Sequence, residues 1–374
     1  MDRKWLLLWS CAALACSGEG PKDGTETGTE PGIALDYRDS SPSEPGPFQA
    51  GYAVASVTYT PSSDDGDRTI PVHVWYPTDD MEGETVHHEG IFEDEEALGG
   101  ATAAASMHAG GWPVLVHSHG HQGYAGNSAF LHAHLASHGF VVVVPDHVDN
   151  TLTDNVEPRS TAHYIHRPED LSAALDAVGA DLFADVGLVG VDVSRVVAAG
   201  HSYGVYTVWA IAGAMFDEAQ LDVACADGGS LETGCTEAER AAFRAGLGDD
   251  RVVATVPMAG SIRRSLHGDT GHQSVTTPML SLSGSEDPVG ADTQFESSPE
   301  VPLTWMDIDG ACHQTFGIGT CGTLDVDTGF VLVETLVLSF ARYHLLADTS
   351  PEVVGVVEGT ALDPLVTYQS YVFP

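Results

Sequence analysis

The chain has 374 residues, with 54 Asp and Glu against 14 Lys and Arg, for a formal net charge of −40. A surface so acidic repels nucleic acid and anionic lipid headgroups, which excludes both as partners of the folded body. An apolar share of 43% is enough for one large buried core with extensions.

At the N-terminus, Met1 to Lys4 is a charged start, positions 5–15 are apolar, and Ala13-Leu14-Ala15-Cys16 is a small-residue processing site. This predicts an export signal over 1–16, with Cys16 as the acylated residue of a lipoprotein; plain signal cleavage is the alternative. The apolar run is too short to span a bilayer. An anchor at Cys16 is the one membrane attachment expected, and the protein is otherwise placed in the cell envelope or outside the cell, as a monomer. Positions 17–48 lack apolar periodicity and predict a disordered tether.

The catalytic body is expected over 49–347. Positions 52–59 and 69–76 alternate and predict an opening antiparallel pair. The acidic stretch 79–111 reads as an inserted loop. Acidic clusters at 64–67 and 93–96 lack EF-hand spacing and read as solvated surface. Strands at 114–116, 141–144 and 196–199 then alternate with helices at 128–137, 169–178 and 203–216. That rhythm predicts a doubly wound, mostly parallel α/β sheet. Pro168, Glu169 and Asp170 read as a helix start, with proline at the first position and carboxylates against the dipole. Positions 217–250, with a helix at 237–247, predict a partial cap roofing the site. Strands are expected at 252–256, 278–283 and 302–308, a closing helix at 326–346, and a tail over 348–374 that is apolar enough to dock on the body.

The most informative motif is Gly200-His201-Ser202-Tyr203-Gly204, set between a buried strand and an apolar helix. A G-x-S-x-G in that context is a nucleophile elbow, which lifts the Ser202 hydroxyl to the carboxyl end of the sheet. A serine is a weak nucleophile without a base. Four histidines follow it: His267, His272, His313 and His344. Only His313 stands in a loop just beyond a late strand. Asp287, in the loop after 278–283, is the expected acid, with Glu286 as its rival. The backbone N–H groups of Tyr203 and of His121, in the loop after 113–116, are the expected oxyanion donors.

The alternating His117, His119 and His121 invite a metal reading. The zinc-hydrolase pattern H-x-H-x-D-H needs Asp and His where His121 and Gln122 stand, so no metal and no organic cofactor is expected. Export permits disulfides, and the short-loop pairing Cys225–Cys235 with Cys312–Cys321 is expected, the second bracing the His313 loop.

The stretches Val114 to Gly123, Leu135 to His147, Arg167-Pro168-Glu169-Asp170, the elbow and His313-Gln314-Thr315-Phe316 together resemble the platelet-activating-factor acetylhydrolase and dienelactone-hydrolase-like branch of the α/β-hydrolases. The resemblance spans about residues 50 to 346. It implies an α/β-hydrolase fold and ester hydrolysis by a Ser-His-Asp triad, on short-acyl lipid esters in that branch. Two departures stand out. Dienelactone hydrolases use cysteine where this chain has Ser202. Animal acetylhydrolases carry their acid after the sixth strand, where 257–262 offers no carboxylate, so the acid moves to Asp287. The readings open at this point are a serine ester hydrolase, a polyester or cutinase-like hydrolase, and a catalytically silent hydrolase fold acting as a surface binding protein.

Overall fold

The computed structural model describes residues 40–371 other than 65, 91 and 318. The expected export signal and Cys16 lie outside these residues. Among the described residues eleven strands form one sheet: β1 Gln49–Tyr59, β2 Arg68–Thr78, β3 Glu84–His88, β4 Phe92–Gly99, β5 Pro113–Ser118, β6 Val141–Pro145, β7 Asp192–His201, β8 Val252–Met258, β9 Met279–Gly284, β10 Leu303–Ile308 and β11 Val366–Ser370. Their order is β11-β10-β9-β8-β7-β5-β6-β2-β1-β4-β3. The middle, from β6 to β10, is parallel; β2 joins β6 and β11 joins β10 antiparallel. The helices are α1 Ala129–Ser137, α2 His163–Gly179, α3 Gly204–Ile211, α4 Glu218–Ala224, α5 Glu237–Ala245, α6 Arg264–His267, α7 Ala291–Glu296, α8 Val326–Leu346 and α9 Pro351–Val357.

Alternate residues of a strand face opposite sides, so the central valine runs supply two cores at once. Leu115, Val142, Val144, Val197 and Ala199 pack with Leu131, Leu135, Val333, Leu336 and Val337 of α1 and α8. Val114, Val116, Val141, Val143, Val196 and Ala198 pack with Leu171, Leu175 and Val178 of α2. Burial on both faces is why these strands read as unbroken apolar runs. Each such side chain stabilises the fold by about 1.5–3 kcal/mol. Truncating Leu336 to alanine would cost about 2–5 kcal/mol, transfer and cavity together.

Several expectations are corrected. The stretch 79–111 is not a plain loop: it carries β3 and β4, which pair with each other, and β4 extends the sheet beside β1. Val86, His88, Asp94 and Ala97 turn inward while the acidic residues between them face water; the acidic side masked the strand signal. Helix α2 begins at His163, five residues before Pro168. A proline inside a helix leaves the carbonyl four residues earlier without its amide. Here that carbonyl, on Tyr164, accepts the Tyr206 hydroxyl at 2.6 Å instead. Asp170 is not a dipole-facing helix start but a buried hub. It accepts hydrogen bonds from Arg68 Nε at 2.8 Å, from His147 Nδ1 at 2.8 Å and from the Tyr59 hydroxyl at 2.7 Å. Despite the cost of burial, these partners hold its carboxyl well below the usual range.

Of the tether expected over 17–48, positions 40–48 lie among the described residues and pack on the body. The carbonyls of Ser40, Pro42 and Glu44 accept from Arg342, His134 and His138, and Phe48 is buried. At the other end α9 packs on α8, and β11 adds an antiparallel edge to β10.

Candidate active site

The elbow is built by close backbone approach. Strand β7 ends at His201 and α3 starts at Gly204, so the chain reverses within two residues. Ser202 sits there with φ +58°, in the left-handed region that side chains avoid. A Cβ on Gly200 would stand 2.5 Å from the Gly204 carbonyl oxygen, and one on Gly204 2.0 Å from that of Ser118. Only glycine fits either place. The Ser202 amide donates to the Met258 carbonyl of β8 at 2.9 Å, which fixes the strained turn to the sheet.

His313 is carried by a short turn, 313–316, after β10. Its Nε2 lies 2.9 Å from Ser202 Oγ, and its Nδ1 2.8 Å from Asp287 Oδ2. Asp287, whose side chain is 5% exposed, follows β9, and its amide donates to the Gly284 carbonyl in a tight turn. Glu286 is exposed, its amide donates to the Ala311 carbonyl, and its carboxylate has no bond to the imidazole among the described residues. Sequence reasoning on Ser202, Asp287 and His313 therefore converges on three side chains that share one hydrogen-bond line. His267, His272 and His344 are elsewhere: His267 is bonded to the Met215 carbonyl, His272 to the Ser297 carbonyl, and His344 packs at a tilt against Phe340.

The two expected oxyanion donors flank the serine. Tyr203 follows it directly. A Cβ on Gly120 would stand 3.1 Å from Ser202 Cβ, so the backbone at 120–121 runs beside the hydroxyl. Neither the Tyr203 nor the His121 amide has a partner among the described residues. The three alternating histidines diverge. His117 is fully buried against His132, His119 accepts from the His147 amide at 3.0 Å, and His121 Nδ1 accepts from Asn150 at 2.7 Å.

Both expected disulfides are present. Cys225–Cys235 ties down the 217–250 segment, and Cys312–Cys321 closes the loop that carries His313. The 217–250 segment lies beside the tyrosines of the site. Its Leu221, Ala224 and Phe243 pack beside Tyr164, Tyr206 and Leu266, and none of its residues lines the cleft.

That cleft has a volume of about 440 Å³ and is lined by Ser202, His313, Tyr203, Tyr206, Arg159 and Arg263, with Ala259, Gly260, Ser261, Pro288 and Val289. Sequence reasoning missed both arginines, Tyr206 and His201. The His201 Nε2–H donates to the His313 carbonyl at 3.0 Å, and the two rings are 4.8 Å apart. Burial, then the neighbouring His313, pushes the His201 imidazole down to about 3, so it stays neutral. Its place next to the serine in the motif was the available signal. Nothing local marks Arg159 or Arg263.

The chlorophyllase family model matches residues 101–226, a segment that contains the elbow. Among solved structures, the chain is similar to a ferulic acid esterase from Streptomyces cinnamoneus. The two share 18% identity with a TM-score of 0.60, over 86% of this chain and 97% of that one. No curated protein sequence matches. Sheet order and the structural match show an α/β-hydrolase fold, and the family match, over 101–226 and including the elbow, is with an esterase family.

Proposed function

We propose that the protein is an exported serine esterase that works through an acyl-enzyme. The observation that carries this is the continuous line Ser202 Oγ, His313 Nε2, His313 Nδ1, Asp287 Oδ2, with contacts of 2.9 and 2.8 Å. His313 takes the Ser202 proton as Oγ bonds to the ester carbonyl carbon. Asp287 holds the tautomer with its proton on Nδ1 and stabilises the imidazolium. The Tyr203 and His121 amides receive the oxyanion. His313 then returns the proton to the departing alkoxide, and a water activated by the same imidazole releases the acid. His201 is a positioning residue: its bond to the His313 carbonyl, like the Cys312–Cys321 bridge, restrains the loop that carries the base. The two disulfides support an exported protein, since such bonds persist in oxidising compartments. An open cleft favours small esters over a buried lipid tail. The polyester and silent-binder readings have no observation of their own.

The test is hydrolysis of a nitrophenyl ester series, with labelling by a fluorophosphonate. Ser202→Ala is expected to lose about 10⁴–10⁶-fold in kcat and all labelling, with an unchanged circular dichroism spectrum. Near wild-type turnover by the folded variant would remove Ser202 from its role.

A further inference from the structure

The placement of positive charge in this chain points to the substrate. Lysine is absent beyond position 22, so the described cations are all arginines. Arg68, Arg240, Arg244, Arg251, Arg264 and Arg342 each have a carboxylate within 4.0 Å. Arg195 bonds the His344 carbonyl away from the site. The remaining three, Arg159, Arg167 and Arg263, have no such carboxylate among the described residues, and all three gather on the tyrosines beside Ser202. The guanidinium carbons of Arg159 and Arg167 lie 4.6 and 4.5 Å from the centre of the Tyr203 ring. That of Arg263 lies 5.3 Å from the Tyr164 ring, and its Nη2 donates to the Tyr164 hydroxyl.

Arg167 is buried, with donors taken by Asn150, Thr207, Ser118 and the His119 carbonyl. It serves the framework. Arg159 and Arg263 line the cleft itself with Ser202 and His313. The nearest acid to Arg159 in sequence, Glu157, accepts from Asn155 at 3.2 Å and faces His121 Nε2 at 3.5 Å. Arg159 Nε and the Tyr203 hydroxyl are buried without a partner among the described residues. A buried donor of this kind is costly unless something bound completes it. In a protein of net charge −40, two guanidiniums left without carboxylates at the nucleophile are an anion site.

We propose that the cleft takes esters that bear a free carboxylate, held by Arg159 and Arg263 while Ser202 attacks the ester carbonyl. The planar guanidinium fork suits a carboxylate, and the Tyr203 and Tyr206 rings give the rest of the molecule an aromatic wall. This rests on the serine esterase reading and adds the substrate class to it.

Two measurements on the whole protein test the proposal. The first compares kcat/KM for mono-4-nitrophenyl adipate with that for its neutral methyl ester, and for 4-acetoxybenzoate with methyl 4-acetoxybenzoate. The pairs place the charge on the acyl and the alcohol side in turn. The charged member of at least one pair is expected to be favoured about tenfold or more. The ratio should fall towards one in Arg159→Gln and Arg263→Gln. The second is calorimetric binding of benzoate against benzamide, which needs no turnover. Benzoate is expected to bind at least tenfold tighter, and to lose that margin in either variant. Neutral esters preferred in both pairs, with benzoate no better than benzamide, would overturn the anion site and leave the esterase standing. Benzoate binding without any ester turnover would keep the anion site and remove the esterase.

Discussion

Lowering the pH from 7 to 5.5 offers protons to histidines that the fold keeps neutral. His117, His138, His147 and His201 are buried, and burial first, then neighbouring cationic or histidine side chains, pushes each down to about 3. His134, His163 and His267 are held at about 4 for the same first reason. In the unfolded chain all seven return to about 6.5. Below 6.5 the unfolded state therefore binds more protons, so this stability is fully present above 6.5 and is lost as the pH falls towards 4 and 3. Together the seven histidines cost on the order of 9 kcal/mol between pH 7 and 5.5. Glu334 opposes them. Burial and the nearby Glu96 raise it to about 8, so it is protonated in the fold, and acidification over the same range returns about 2 kcal/mol. The net loss of about 7 kcal/mol is comparable with the whole stability of an ordinary domain, about 5–15 kcal/mol. Unfolding is thus expected near pH 5, above the range in which ordinary carboxylates titrate. Urea midpoints followed by far-UV circular dichroism from pH 8 to 4.5, at constant ionic strength, measure it directly. His117→Phe should reduce the slope of stability against pH by about 1.4 kcal/mol per unit below pH 6.5. A midpoint that holds steady between pH 7 and 5 would refute the reasoning.

The acid of the site is tested by Asp287→Asn, expected to lose about 10⁴-fold in kcat because the amide favours the wrong imidazole tautomer; Glu286→Gln should stay within a few-fold, and the reverse order would reassign the acid. Replacing Cys312 and Cys321 with serine removes a bridge of sequence separation 9, worth about 2–3 kcal/mol in the chain-entropy model; ester turnover should fall more than the urea midpoint, since the loop holds His313. Salt should stabilise. At −40 the folded surface repels itself, and the Debye length contracts from about 30 Å at 0.01 M to about 3 Å at 1 M, so the melting temperature should rise with sodium chloride and a flat response would count against the charge argument.

What the sequence determined by itself is local. The elbow is legible because the turn needs glycine at both 200 and 204, where a Cβ would meet backbone at 2.5 and 2.0 Å, so the demand is written as a five-residue motif although the second clash is with Ser118 of β5. The central strands are legible because burial on both faces leaves no polar position, and α8 because its apolar spacing is unbroken over 326–346. His313 and Asp287 follow from chain order once the elbow is recognised. What only the tertiary structure decided depends on partners distant in sequence. Pro168 lies inside a helix because Tyr206 supplies the donor that proline lacks. Asp170 is buried because Arg68, Tyr59 and His147 reach it from three other segments. Strands β3 and β4 exist because β1 offers them an edge, although their outer face is acidic. Arg159 and Arg263 are ordinary residues in the sequence, a hundred positions apart. Packing of the α2 and α3 tyrosines brings their charges to Ser202, and no local pattern encodes a meeting made by three separate segments.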